Sequence, residues 1–192
     1  MLKDLYHDLD LTAHLDAAIY TVATMAFYGQ LRLCEICSDR EVYNTFNCKT
    51  LPNLSNLKPP HTPAGSRMLH LPWTKVKRNI GEDVAICSQR GVTNPINALH
   101  QHIQINMIND PNIAMASYLT PRGTRKLLTT SKFLKNVTRF GTPTTDNVIQ
   151  VIVSESVAPP TTYFKPSTPM SSALWAVGLP MHSSDTGDNL ML

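Results

Sequence analysis

The chain has 192 residues, 42% of them hydrophobic, with 17 Lys+Arg against 14 Asp+Glu for a net charge of +3. That is enough for one ordinary domain with a real core, not for several. The longest apolar stretch, Ala17 to Tyr28, is interrupted by Thr21 and Thr24 and is too short to span a bilayer. Lys3, Asp4, His7 and Asp8 stand where a signal peptide needs an apolar run, and four cysteines do not make a disulfide framework at this length. The expectation is an intracellular protein, nuclear or cytoplasmic, with reduced thiols. Charge is unevenly spread: residues 1–140 carry 16 basic and 10 acidic side chains, whereas residues 141–192 carry Lys165 against four acids.

In chain order, the spacing predicts a helix over 13–36. Leu15, Ala18, Ile19, Val22, Ala23, Ala26, Phe27, Leu31 and Leu33 make it apolar almost all round, hence buried, with Asp10 or Thr12 as its cap. Residues 38–66, with Pro52, Pro59, Pro60 and Pro63, read as a long loop, either mobile or facing a partner. Strands are predicted at 67–75 and 83–88, joined by the basic link VKRNIGE, with Pro72 confining the first to an edge or a late start. Pro95 opens a helix over 95–108 that aligns Ile96, Leu99, Ile103 and Met107. A second hairpin over 114–128 turns at Pro121-Arg122-Gly123, and a helix capped by Thr130 or Ser131 carries Phe133, Leu134, Val137 and Phe140. Beyond residue 142 periodicity fades; 23 of the last 52 residues are Gly, Pro, Ser or Thr, the composition of a disordered tail.

The sharpest local pattern is Ala26-Phe27-Tyr28-Gly29-Gln30-Leu31-Arg32-Leu33-Cys34-Glu35-Ile36. An arginine between leucines at the end of a buried helix requires an anionic partner. Two readings follow: a structural pair of Arg32 with Glu35, or a guanidinium aimed at a phosphate, which it binds bidentately.

This Gly-x-x-Arg-x-x-Glu block resembles the first catalytic arginine of tyrosine recombinases, the phage-integrase family of DNA breaking–rejoining enzymes. It is most similar to the Crypton-like recombinases of fungal mobile elements, whose "AFWGQxRLGE" block precedes a Pro-rich loop and "HLPWTK". Here Leu69-His70-Leu71-Pro72-Trp73-Thr74-Lys75 and Gly81-Glu82-Asp83-Val84 follow in that order. Asn94-Pro95-Ile96-Asn97-Ala98-Leu99 and Leu127-Leu128-Thr129-Thr130-Ser131-Lys132-Phe133-Leu134 then resemble the family's "cPvraL" and "pLTksxFL" stretches. The likeness covers about residues 10–142, with Cys34 where the family usually has Gly. It implies an α+β fold, a mainly helical catalytic core with a small antiparallel sheet, incomplete at its C-terminus. Residues 1–142 would be the N-terminal two-thirds of that domain.

By resemblance, Arg32 contacts the scissile phosphate and stabilises the pentavalent transition state, with Glu35 as its structural partner. Lys75 protonates the leaving 5′ oxygen, with Lys77 competing for the role. The partner is double-stranded DNA, together with other recombinase subunits; no membrane, small-molecule substrate, cofactor or metal is implied. Lys77 and Arg78 in the basic hairpin, and Lys132 and Lys135 on the last helix, are the candidate DNA contacts. The latter two recur with Arg139 on one helical face, either simply solvated or turned to the DNA backbone. Cys34-x-x-Cys37 with Cys48 and Cys87 lacks the paired spacing of a zinc site, and His100 and His102 lie two apart on a helix and point to different sides. Scattered Asp and Glu argue against an acidic-triad transposase, and Trp73 reads as a hairpin or core aromatic.

The family also requires a His-x-x-Arg motif, a nearby Trp or His, and a tyrosine nucleophile. The 192 residues contain no His-x-x-Arg, and the last tyrosine, Tyr163, stands in an unrelated Thr-Thr-Tyr-Phe-Lys-Pro context. The genetic code offers an explanation. Read one base earlier, permitted codons for Val151–Thr161 spell GHSFRIGGTTY, which contains the missing motif. The same shift over residues 169–192 permits DVVRAVGRWASDAFLRYWRQLDA, with a tyrosine codon straddling Asp185 and Thr186, 34 codons after the histidine codon straddling Val151 and Ile152. The expectation is that a frameshift or mis-assigned reading frame near residues 142–148 produced residues 143–192. The chain also starts just upstream of the arginine helix, so the separate helical domain that closes the clamp on DNA is expected to be missing. The expected molecule is a recombinase by lineage without strand-transfer activity; the alternatives are a DNA-binding remnant and a relic with no function.

Overall fold

The computed structural model describes residues 2–77 and 80–139, which form an α+β unit. The proposed tail, 143–192, and Arg78 lie outside the described residues. The helices are α1 (Leu2–Asp8), α2 (His14–Gly29), α3 (Leu33–Ile36), α4 (Pro95–Ile105) and α5 (Thr130–Arg139). Two antiparallel pairs accompany them, β1 (Arg67–Leu71) with β2 (Glu82–Ile86) and β3 (Ser117–Leu119) with β4 (Arg125–Leu127).

Helix α2 is the centre of the core: every residue from Ala17 to Ala26 is buried. Its threonines fit because each hydroxyl is satisfied. Thr21 donates to the Ala98 carbonyl at 2.9 Å, tying α2 to α4, and Thr24 donates to the carbonyls of Tyr20 and Thr21. Tyr20, also buried, donates to the Val92 carbonyl at 2.8 Å, and burial pushes its phenol up to about 12. Among the described residues no helix is long and apolar enough to cross a membrane.

The single helix predicted over 13–36 is instead two. At Gln30 the backbone turns left-handed (φ 52°), and the N–H groups of Gln30 and Leu31 both return to the Ala26 carbonyl. That closes the last turn and redirects the chain. The expected cap is also corrected. Ala13 occupies the cap position, while Asp10 accepts hydrogen bonds from the Thr12 backbone and hydroxyl within the preceding turn. Helix α1 has no counterpart in the sequence reading. It packs Leu2 and Leu5 into the core and sets Tyr6 edge-on to Tyr20.

The 38–66 segment has little regular structure, but long-range backbone bonds tie it down. Two 3-10 turns (Tyr43–Thr45 and Leu54–Asn56) lie within it. Leu54 donates to Ile113, Lys58 donates to Met68, and Pro52 accepts from Met115.

The first hairpin pairs Arg67 with Ile86 through Leu71 with Glu82. Strand β1 is shorter than the predicted 67–75 because Pro72 cannot continue the ladder. Leu69 and Leu71 face the core; His70 points the other way and meets Asp83 across the pair. Helix α4 opens as expected, with Pro95 in its first turn and Asn94 accepting from the Ile96 N–H, but it ends at Ile105. The second hairpin turns where predicted, the Thr120 N–H reaching the Thr124 carbonyl at 2.9 Å.

Candidate nucleic-acid interface

Arg32 stands in extended backbone between α2 and α3, as a direct result of the Gln30 turn. It is therefore the residue that opens α3 rather than the end of the long helix. Glu35 grips it twice: Oε2 accepts the Arg32 backbone N–H at 3.0 Å, and Oε1 lies 3.3 Å from the guanidinium. The carboxylate is almost wholly buried, while the arginine side chain is 32% exposed. The structural and phosphate-directed readings of Arg32 are thus compatible, since a buried acid aims a half-exposed guanidinium.

Lys75 follows Trp73 on the loop beyond β1 and is exposed. It shares a neighbour with Arg32. Burial first, then the charge of Glu35, raises the Cys34 thiol above its ordinary range, while Arg32 and Lys75 pull in the opposite direction. Two cations remote in sequence thus act on the same thiol. Cys34 also borders a cavity of about 490 Å³ that Asp39, Trp73, Thr130 and Ser131 help to line. Trp73 is half-buried there, as a hairpin aromatic.

No protein family, curated protein or solved structure matches the chain. What these side chains can do rests on their own geometry and on the sequence resemblance.

The other candidate contacts divide. Lys77 lies 3.5 Å from Glu82 across the hairpin, with both side chains about half exposed, a pair that solvent competes with. Lys135 is exposed on α5. Lys132 is different: its ammonium donates to a Glu41 carboxylate oxygen and to the Tyr118 hydroxyl, and lies 5.3 Å from the Tyr118 ring centroid. It is a clasp between α5, β3 and the loop after α3, not one of a row of equivalent solvated lysines. Hydrogen bonds from Lys132 and Tyr118 draw the Glu41 carboxyl down to about 2, and Lys126 adds a third partner at 3.4 Å.

The sequence reading assigned nothing to Glu41, His70 or Asp83. A His facing an Asp across the hairpin was an available signal for the last two; Glu41, beside Asp39 and Arg40, carries no local mark of its role. The His100–His102 pair does split as the helical spacing requires, His100 exposed and His102 1% exposed. Among the described residues all four cysteines are free thiols, and no group of three or more His, Cys, Asp or Glu is placed to hold a metal ion.

Proposed function

We propose that residues 10–142 descend from the catalytic domain of a tyrosine recombinase and that the chain binds duplex DNA through a phosphate site made by Arg32 and Lys75. The observation that carries this reading is the Arg32 guanidinium, about a third exposed and held from behind by the buried carboxylate of Glu35, beside a Cys34 thiol that Arg32 and Lys75 both draw downward. Arg32 is suited to fork onto two oxygens of one phosphate, and Lys75 to add a point charge or donate a proton beside it. The lineage chemistry, breakage and rejoining of DNA through a phosphotyrosine, also needs a second arginine and a positioned tyrosine. The 192 residues contain no His-x-x-Arg to supply the arginine, and the last tyrosine, Tyr163, stands in an unrelated context, so the function assigned to this chain is DNA binding without strand transfer.

The test is fluorescence anisotropy of a labelled duplex against salt concentration. Each cation that engages the DNA backbone contributes about −0.9 to the slope of log K on log salt, so Lys75→Ala reduces its magnitude by about 1. Lys75 is the better probe because it is exposed, whereas removing Arg32 also unpairs buried Glu35. Salt-independent binding, or an unchanged slope in the Lys75 variant, overturns the phosphate site. A covalent adduct on a nicked suicide duplex overturns the absence of strand transfer.

A further inference from the structure

The tip of the first hairpin carries a feature that a phosphate site alone does not need. Val76 is 78% exposed and Ile80 81%, the two most exposed large hydrophobic residues among those described. Val76 sits directly between Lys75 and Lys77, both exposed. A single exposed aliphatic side chain is ordinary; two on one tip, the first of them set between two cations, are not explained by packing.

The root of the tip is firm. Thr74 is 2% exposed, and its hydroxyl accepts the Lys77 N–H at 3.0 Å. The Gly81 N–H closes onto the Lys77 carbonyl at 3.1 Å. Gly81 has φ +73°, and a Cβ there would lie 2.3 Å from the Leu71 carbonyl oxygen and 2.9 Å from the His70 ring. The backbone is thus packed tightly beneath a tip whose apolar side chains point into solvent.

We propose that this tip is an apolar wedge for duplex DNA: Lys75 and Lys77 hold the phosphates while Val76 or Ile80 presses between adjacent base pairs and unstacks them. The wedge rests on the DNA-binding reading and extends it from the backbone to the base stack. Few apolar atoms suffice, because a single aliphatic side chain can part a base step once flanking cations anchor it. A stable protein interface needs about 1,000 Å² or more, and membrane-surface anchoring a whole apolar helix face; two aliphatic side chains supply neither. Lys75 and Lys77 place a cation on either side of Val76, and the half-exposed Glu82 that Lys77 meets at 3.5 Å is a pair that a phosphate can displace.

The experiment uses the full chain and a duplex of TpA steps, the most easily unstacked, carrying one 2-aminopurine. The expected result is a rise in 2-aminopurine fluorescence with the wild-type chain that Val76→Ser/Ile80→Ser loses. The double variant should keep its thermal midpoint, because neither side chain is packed. Binding with no rise, or a rise the variant retains, overturns the wedge and leaves the phosphate site standing. No salt-dependent binding at all overturns both. A variant that loses affinity for phosphatidylserine vesicles while its DNA signal is unchanged also overturns the wedge, in favour of a lipid surface.

Discussion

The Glu35 carboxylate holds Arg32 through both its oxygens, one on the backbone N–H and one on the guanidinium. Because Glu35 is buried and Arg32 half-exposed, the acid is the fixed partner and the arginine the aimed one. Glu35→Gln keeps an acceptor for the backbone but loses the charge-assisted contact. It should cost about 1.5–3 kcal/mol in urea unfolding, the range of hydrogen bonds to charged groups. Duplex affinity should fall as well, although residue 35 is itself buried. An unchanged affinity at full folding would show that Arg32 needs no holding.

Lys132 and Lys135 occupy the same helix and separate cleanly. Lys132→Ala strips Glu41 and Tyr118 of their shared partner and should destabilise the fold by about 1 kcal/mol. Lys135→Ala should leave stability unchanged and, if α5 faces the DNA backbone, lower the salt slope by about 1. Chemical denaturation and anisotropy on the two variants check both halves.

What the sequence disclosed follows from the range of the forces involved. Burial of α2 was visible because its apolar residues leave no polar face, and the opening of α4 because Asn94-Pro95 is a local signal. The break at Gln30 was obscured by Leu31 and Leu33, which continue the apolar pattern across the turn; only Gly29 marked it. The order of residues 38–66 depends on bonds to Ile113 and Met115, about 60 positions away, which no local window contains. Lys132 looked like its neighbours because Glu41, the residue that sets it apart, lies 91 positions away. For the site, the block around Arg32 and the strand before Lys75 were readable as motifs. That the charges of Arg32 and Lys75 both reach Cys34 is tertiary.

His102 predicts a pH dependence. It is fully enclosed, with Nε2 donating to the Met115 carbonyl and Nδ1 accepting from Asn106, each at 2.9 Å. Asn106 is itself spent, donating also to His14 and accepting from Leu119. A proton on Nδ1 would face an amide donor in a dry site, and burial brings the imidazole down to about 4 from 6.5. The folded pKa is depressed, so stability is complete above the unfolded pKa of 6.5 and is lost as pH falls toward 4. The whole limb is about 3 kcal/mol at 1.36 kcal/mol per unit. Urea unfolding at pH 7, 5.5 and 4.5 measures it; His102→Gln should be less stable at pH 7 yet much flatter below it.

Glycine substitutions distinguish the two hairpins. Gly81→Ala places a methyl against the Leu71 carbonyl and the His70 ring at positive φ, and should cost about 2–3 kcal/mol. Gly123→Ala meets nothing within 4 Å and carries only the penalty of its φ of +75°, about 1 kcal/mol. Hydrogen exchange should show β1 and β2 losing protection in the first variant while α2 and α4 keep theirs. Equal losses in both would mean that the tight packing under the first tip carries no energy.

The tail makes the most discriminating prediction, because it concerns bases rather than side chains. In the shifted frame each codon joins the last base of one codon of the 192-residue frame to the first two of the next. The histidine therefore requires the Val151 codon to end in C, and the arginine three codons later requires the Ser154 codon to end in C or A. The tyrosine requires Asp185 to be GAT, and the tryptophan after it requires Thr186 to be ACT. None of these bases alters the 192-residue protein, so nothing in its amino acids favours them in advance. Sequencing the transcript across the codons for residues 135–192 reads all four. If they are present and the transcript joins the shifted frame to residue 142, the gene encodes a catalytic domain with its second arginine and tyrosine, and the phosphate site proposed at Arg32 gains the partners that strand transfer needs. If they are present in a transcript that stays in the 192-residue frame, the chain is a relic without strand-transfer chemistry, and the salt series with labelled duplex decides whether it binds DNA. If they are absent, the frameshift account is wrong, and the recombinase lineage rests on residues 10–142 alone.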